Sequence, residues 1–523
     1  MLGCVVALAL APGVRGATAE TTAAEPTSEA FDIFEFRVLG STAVPAVDVE
    51  RAVYPMLGEG RTIKEVEQAR DALAELYRGR GFGAVNVDIP EQDVADGVVR
   101  LQVTEGRLGQ VKVTGARYYS SGRIVRSMPS LQSGEVLNLP ALQSDLAAVN
   151  RMSADRTVTP VLRSGQVPGT VDLELKVRDE LPIIAQFEVN DRYTADTTRT
   201  RAIATLGYGN LFQKFHSLSL QYQSAPEEPD EARVFAATYL APIGDEGRLL
   251  AGYYVNTDSD VSTVGTLSVI GAGQIYGARY VIPLPSIEHL YHGFTLGLDY
   301  KDFNDKVVLE DGRDQTPVAY TNWSMAYNGT LRYEKNSTSF NLAANFGSGS
   351  LGNDADEFAY KRYGAKPNYF YLRGGLRHER ALPFPGRLFA RVDAQGTTVP
   401  LISNEQFSIG GVDSVRGYLE AEALGDVGMS GSLEWHTPPF NAYLGDWLQD
   451  SYFLVFTDAG FINLIDPLPG QTDWVDLYSA GVGLRVTAFG GLIAALDWAY
   501  PFVSGEYTES GDSRVHFLVR YEF

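Results

Sequence analysis

The sequence predicts a transmembrane β-barrel of sixteen antiparallel strands, preceded by two small α+β domains. Three observations lead there. An apolar run near the N-terminus ends in small residues, residues 31–178 mix helical and strand periods, and from about Leu181 only a period of two remains. At 523 residues and 45% hydrophobic, the chain is also too long for one ordinary core.

Residues 2–14 form the apolar run, and Ala17-Thr18-Ala19 follows it. This predicts a signal peptide over residues 1–19, cut after Ala19, with residues 20–30 as a linker. No later stretch reaches the ~18 uninterrupted apolar residues of a membrane-spanning helix. A membrane barrel carries its signal in alternation instead, with strands of only about 10 residues.

The first α+β domain is expected over residues 31–105. Residues 31–38 alternate like a strand, and Thr62-Ile63-Lys64-Glu65 has the form of a capping box. Ile63, Val66, Ala69, Leu73 and Leu76 then recur at helical spacing, and Gly79 and Gly81 end the helix. Strands follow near 84–89 and 98–103. The second domain, residues 106–179, repeats the order of strand, two helices and two strands. A strand over 110–114 precedes a short helix near 123–128 and a longer one from about Asn138 and Pro140, with Leu142, Leu146 and Val149 on one face. Strands near 157–162 and 171–177 complete it.

The barrel is expected over residues 180–523. Alternating segments run over 183–192, 199–208, 215–224, 233–241, 247–257, 272–283, 291–303, 319–333, 338–347, 366–380, 386–399, 428–437, 451–460, 477–487, 491–500 and 514–523. That leaves roughly 21 residues per strand and connection, the scale of an outer-membrane barrel. In the last segment Val515, Phe517, Val519, Tyr521 and Phe523 take every second place, with His516, Arg520 and Glu522 between them. One row suits lipid and the other a wet lumen. A soluble β-sandwich also alternates, so the export signal and the number of segments decide between the two.

Charge and composition exclude several functions. Lys and Arg number 43 against 65 Asp and Glu, giving a net charge of −22, which runs against nucleic-acid binding. The one cysteine, Cys4, lies in the segment expected to be removed, so neither a disulfide framework nor a thiolate metal site is expected. The six histidines are scattered from His216 to His516. No nucleophile–base pair and no phosphate loop stands out, so the reading is of a non-enzyme with no cofactor and no metal.

Residues 77–106, YRGRGFGAVNVDIPEQDVADGVVRLQVTEG, resemble the first polypeptide-transport-associated (POTRA) domain of the haemolysin secretion/activation proteins of ShlB/FhaC/HecB type. The matching pieces are Tyr77, Gly81-Phe82, Pro90-Glu91-Gln92-Asp93, Gly97 and Glu105-Gly106. Further on, residues 207–212 (GYGNLF) resemble the family's early hairpin, residues 407–418 (FSIGGVDSVRGY) its loop motif, and residues 456–460 (FTDAG) its later strand motif. These proteins are outer-membrane transporters of two-partner secretion. The resemblance therefore implies POTRA domains in the periplasm and a pore that moves an unfolded haemolysin or adhesin to the surface without ATP. Its partners would be an exoprotein with an N-terminal secretion domain, outer-membrane lipid, and the barrel-assembly machinery during biogenesis. Members often carry a plug helix before the first POTRA domain. The span of residues 20–30 is too short for a helix and linker, so the plug is expected to be absent or to precede Met1.

The resemblance also implies a site. The stretch of about 28 residues between the eleventh and twelfth segments is unusually long for a barrel connection. The family folds this loop, about residues 400–427 here, back into the lumen with its Arg near the tip. Arg416, Gly417 and Tyr418 would be that tip, supported by Gly410, Gly411 and Val415. By period two Phe456 and Asp458 share one strand face, and a carboxylate is costly against lipid, so Asp458 is expected in the lumen. The resemblance pairs it with Arg416 as a partly solvated ion pair, with Gly460 allowing close approach. Otherwise Arg416 is an exposed loop residue and Asp458 a solvated carboxylate. The terminal Phe523, with Tyr521, resembles the signal read when barrels are inserted. A barrel-assembly factor of the same superfamily is the alternative function, and a porin or adhesin leaves the two domains unexplained.

Overall fold

The computed structural model describes residues 30–523 apart from residues 95, 154, 196, 245–246, 260, 265–266, 310–311, 442–444 and 446. The expected signal peptide and its cleavage site lie outside the described residues. The chain forms two compact units, Met1–Asp179 and Glu180–Phe523.

The first unit contains two α/β modules. In the first, strands β1 (Phe31–Ile33), β2 (Glu35–Leu39) and β3 (Gly58–Arg61), helices α1 (Ala46–Val53) and α2 (Ile63–Gly79), and strands β4 (Val85–Asp88) and β5 (Val98–Glu105) form one core. The expected strand over 31–38 is broken into two, because the Phe34 and Glu35 amides both turn to the Gly97 carbonyl. The capping box starts α2: Thr62 Oγ1 accepts from the Lys64 amide, while Glu65 takes the Thr62 amide at 2.8 Å. Its buried stripe is Val66, Ala69, Leu73 and Tyr77, the spacing of one helix face.

The second module has β6 (Arg107–Thr114), α3 (Ser121–Arg126), α4 (Leu139–Arg151), β7 (Arg156–Ser164) and β8 (Thr170–Asp179). Asn138 caps α4 by accepting from the Ala141 amide. The two sheets share one connectivity. β5 pairs parallel to β2 and antiparallel to β4, and β8 pairs parallel to β6 and antiparallel to β7.

The second unit is a closed barrel of sixteen strands, every neighbouring pair antiparallel. The first strand is Ile183–Asn190 and the last Arg514–Glu522, and their pairing from Leu518↔Asn190 to Glu522↔Gln186 closes the ring. Val515, Val519 and Tyr521 are exposed on the outer face of the last strand, whereas His516 is buried inside. Outward rows of this kind, such as Leu372 and Leu376 or Phe453 and Val455, are the surface a bilayer covers. Connections on one rim are mostly longer than those on the other, those from Leu309 to Gly312 and from His436 to Leu448 excepted, as expected when one rim faces the cell exterior and the other the periplasm.

The lumen is not uniformly wet. Phe303, Val318, Tyr320, Phe358, Tyr369, Tyr371, Leu401 and Ile402 form a buried apolar cluster within it. Phe358 comes from a short helix, Ala355–Lys361, in the connection between the ninth (Asn336–Gly347) and tenth (Tyr369–Ala381) strands.

Candidate functional site: a loop seated on the inner wall

The long connection between the eleventh strand (Arg387–Thr397) and the twelfth (Val427–His436) contains a short hairpin. Phe407–Ile409 pairs antiparallel with Ala423–Gly425, and between them Val415–Leu419 is buried while Asp413 stays exposed. Carboxylates hold its base. Glu405 accepts from Lys301, Tyr320 and, at 2.6 Å, Tyr371. Asp426 takes both terminal nitrogens of Arg362, the Leu401 amide at 2.9 Å and the Ile465 amide at 2.7 Å. Nearer the tip, Glu422 accepts from the Tyr507 and Thr508 amides at 2.8 and 2.7 Å and from the Thr508 hydroxyl. Buried ions survive only when so satisfied, so these contacts specify one loop position.

The structure brings Arg416 onto Asp458. Arg416 Nε donates to Asp458 Oδ2 at 2.7 Å, Nη2 donates to Oδ1 at 2.8 Å, and the Arg416 amide adds a third bond at 3.1 Å. Asp458 lies on the thirteenth strand (Leu448–Asn463), where Phe456, Asp458 and Gly460 are buried and Val455, Thr457 and Ala459 exposed. The register sets Ser432 opposite Asp458 and Glu434 opposite Phe456, so four inner-face side chains form a seat. Ser432 accepts from Arg416 Nη2 at 2.9 Å, and Glu434 lies 2.7 Å from the same nitrogen. The Arg416 guanidinium stacks 3.5 Å from the Phe456 ring centroid.

This corrects the expectation of a partly solvated pair. The side chains of Arg416 and Asp458 are 3% and 0% exposed, because Phe456, Val415 and the hairpin exclude water from them. A fork with two carboxylates and a ring face is a place for Arg and not for Lys.

The other expected tip residues gather at the same place. Tyr418 is fully buried and donates to the carbonyls of Val503 and Tyr478 at 2.7 and 3.1 Å. Gly417 has φ +94°, and its amide donates to His516 Nε2 at 2.9 Å. Gly460 provides room: a Cβ there would stand 2.8 Å from Val415 Cγ2. Gly410 and Gly411 begin the turn, each with positive φ. Phe523 and Tyr521 stand apart, exposed at the end of the last strand.

Sequence reasoning did not find Ser432, Glu434, Asp191 and His516. His516 Nδ1 lies 3.1 Å from Asp191 Oδ2, and Asp191 Oδ1 accepts the Phe517 amide at 2.7 Å. For Glu434 the available signal was its position two residues from Ser432 on an alternating strand.

In the first unit, the matched motif residues also converge. Glu105, 2% exposed in its side chain, accepts from the Thr42 and Ala43 amides at 2.6 and 2.7 Å and from the Tyr77 hydroxyl at 3.0 Å. Burial pushes its carboxyl up, but these donors together outweigh that and hold it below its ordinary value. Burial pushes the Tyr77 phenol up to about 12. Gln92 clamps the Arg100 backbone, accepting its amide at 2.6 Å and donating to its carbonyl at 2.9 Å.

Comparison with known proteins shows the family and the fold. The model of the POTRA domain, ShlB-type, matches residues 31–106, and that of the haemolysin secretion/activation protein ShlB/FhaC/HecB matches residues 169–486. The outer membrane transporter CdiB of Escherichia coli O6:K15:H31 is 23% identical over 93% of this chain and 80% of its own length. The Dickeya dadantii CdiB is 22% identical over 88% of this chain and 80% of its own. Among solved structures, CdiB from Escherichia coli superposes with a TM-score of 0.61 at 20% identity, covering 97% of this chain and 93% of that one. BamA from Haemophilus ducreyi lacking POTRA domains 1-3 gives 0.56 at 17%, covering 94% and 100%. That both superpose shows a shared fold.

The family model over residues 169–486, and not the fold that BamA shares, sets the class, an outer-membrane transporter. The chain belongs to the ShlB/FhaC/HecB family of haemolysin secretion/activation proteins, which serve two-partner secretion.

Proposed function

We propose that this chain exports a haemolysin- or adhesin-type exoprotein, recognised in the periplasm through an N-terminal secretion domain and passed outward unfolded. The observation that carries the reading is the seat of Arg416 on Asp458, Glu434 and Phe456, which holds the loop inside the barrel. Residues 106–179 act as a second POTRA module, a role supported by its sharing the sheet connectivity of the first. An extended passenger segment adds to an open sheet edge of that module. Release of the loop opens the lumen, and folding of the passenger outside supplies the drive that ATP does not. Phe523 and Tyr521 present the insertion signal to the barrel-assembly machinery, and the outward apolar rows contact outer-membrane lipid.

The test is co-expression with a candidate exoprotein that carries an N-terminal secretion domain. Surface arrival of the exoprotein should require the transporter and fail when residues 107–178 are deleted, with the barrel still heat-modifiable. Undiminished arrival after that deletion overturns the role of the second module.

A further inference from the structure

The lumen wall carries three neighbouring arginines, none of them held by a close carboxylate. Arg373 and Arg377 lie on the tenth strand and Arg391 on the eleventh, in the register Arg373↔Gln395, Gly375↔Asp393 and Arg377↔Arg391. Two arginines thus stand directly opposite each other, an arrangement that destabilises a sheet pair. Elsewhere on the wall arginines are matched: Arg279 with Asp299, Arg485 with Asp497, and Arg520 with Glu188. Here the wall itself offers the three arginines one carboxylate, Asp393, and the other two nearby, Asp413 and Glu420, belong to the loop. Arg373 is held by neutral partners, the Gln395 amide oxygen at 2.9 and 2.5 Å, the Gln406 carbonyl at 3.4 Å and the Tyr371 ring, while Arg391 reaches the Ser414 carbonyl at 3.3 Å and Asp393 only at 3.8 Å. Arg391 Nε is buried without a hydrogen-bond partner. Arg377 is exposed to the lumen and has no carboxylate within 4.0 Å among the described residues.

Arg373 and Arg377 line a lumen cavity of about 1010 Å³, together with Asp393 and the loop residues Asp413 and Glu420. Asp413 is bonded to Arg192 and feels the charges of Arg391 and Arg377. Once Asp413 and Glu420 depart with the loop, Arg373, Arg377 and Arg391 face Asp393 alone, an excess of positive charge suited to an acidic ligand.

We propose that Arg373, Arg377 and Arg391 form a contact site for carboxylate side chains of the polypeptide in transit. The loop residue Asp413 supplies counter-charge at rest, and passenger carboxylates replace it when the loop leaves. The identity of the ligand as a polypeptide rests on the transport function proposed above.

The experiment uses the full-length protein purified in detergent micelles, with fluorescent oligoglutamate and oligolysine as probes. Oligoglutamate should bind, more weakly as salt rises, and oligolysine should not. Arg377→Gln with Arg391→Gln should weaken oligoglutamate roughly tenfold or more, while Arg377→Lys with Arg391→Lys keeps most of the affinity. The heat-modified transition of the Gln variant should be unchanged or raised, since it removes opposed like charges; arginines kept for stability would lower it. If the double variant does not assemble, Arg377→Gln alone decides, because that side chain is exposed. Equal binding by the Gln variant and wild type, equal binding of both probes, or no binding of oligoglutamate overturns the site. Because binding is read without secretion, failed export of an exoprotein in cells would count against the transport function and not against this site.

Discussion

Gly417 and His516 are tied by a hydrogen bond whose direction is fixed. A backbone amide only donates, so His516 Nε2 accepts at 2.9 Å and the ring proton sits on Nδ1, facing Asp191 Oδ2. One imidazole thereby joins the loop tip, the last barrel strand and the residue just after the first strand. Replacing it tests the tip without disturbing Arg416. His516→Ala should lower the midpoint of the heat-modified transition by the equivalent of about 1–3 kcal/mol, the cost of leaving buried polar groups unpaired. A wild-type midpoint in heat-modifiability gels would show that the tip does not depend on this contact.

The arginine seat should respond unequally to its two obvious substitutions. Arg416→Ala leaves Asp458 and Glu434 buried near each other, so about 3–5 kcal/mol is lost. Asp458→Asn should cost less, because Glu434 and Ser432 still hold the guanidinium. Arg416→Lys keeps the charge, loses the fork and should recover only part of the loss. The double change should be no worse than Arg416→Ala, since both act through one seat. Exoprotein secretion, measured beside surface abundance of the barrel, reads the series. Additive defects, or wild-type secretion by both single variants, would refute a common seat.

Acid should weaken the first unit through Glu105. Its folded carboxyl lies below the ordinary value of 4.5, so its contribution is full above that value and lost as pH falls through the lower folded one. Thermal melts of a 30–179 fragment should show stability declining below about pH 4.5. Glu105→Gln should cost about 2–4 kcal/mol at neutral pH and remove much of that acid dependence. An unchanged pH profile in this variant would assign the acid sensitivity elsewhere.

The barrel strands were legible because lipid outside and water or protein inside impose alternation on every strand. The seventh and eighth strands, Leu290–Leu309 and Gly312–Arg332, run longer than the alternation suggested, since their pairing continues from Asn304↔Pro317 to Leu309↔Gly312. The hairpin in the loop and the helix Ala355–Lys361 were not legible. Each is too short for a periodic signal, and each is held by distant partners, Phe358 by the aromatic cluster and the loop by Lys301, Arg362 and Tyr371. At the site, Arg416 and Asp458 were found through motif resemblance. Glu434 and His516 join them only through strand register and barrel closure, relations that local sequence does not carry.

The near contact of Val415 and Gly460 offers a redox handle on the loop. Val415 Cγ2 occupies the place a sulfur would take, and lies 2.8 Å from a Cβ built on Gly460, close to the ~3 Å between a sulfur and the far Cβ of a disulfide. The sequence's one cysteine, Cys4, lies in the stretch expected to be cleaved, so Val415→Cys with Gly460→Cys introduces two thiols with no other to compete. In the oxidising periplasm they should form a covalent staple between loop and wall. Export should then stop when the staple forms and resume on adding a reductant, which would time the loop's departure against the passage of the exoprotein.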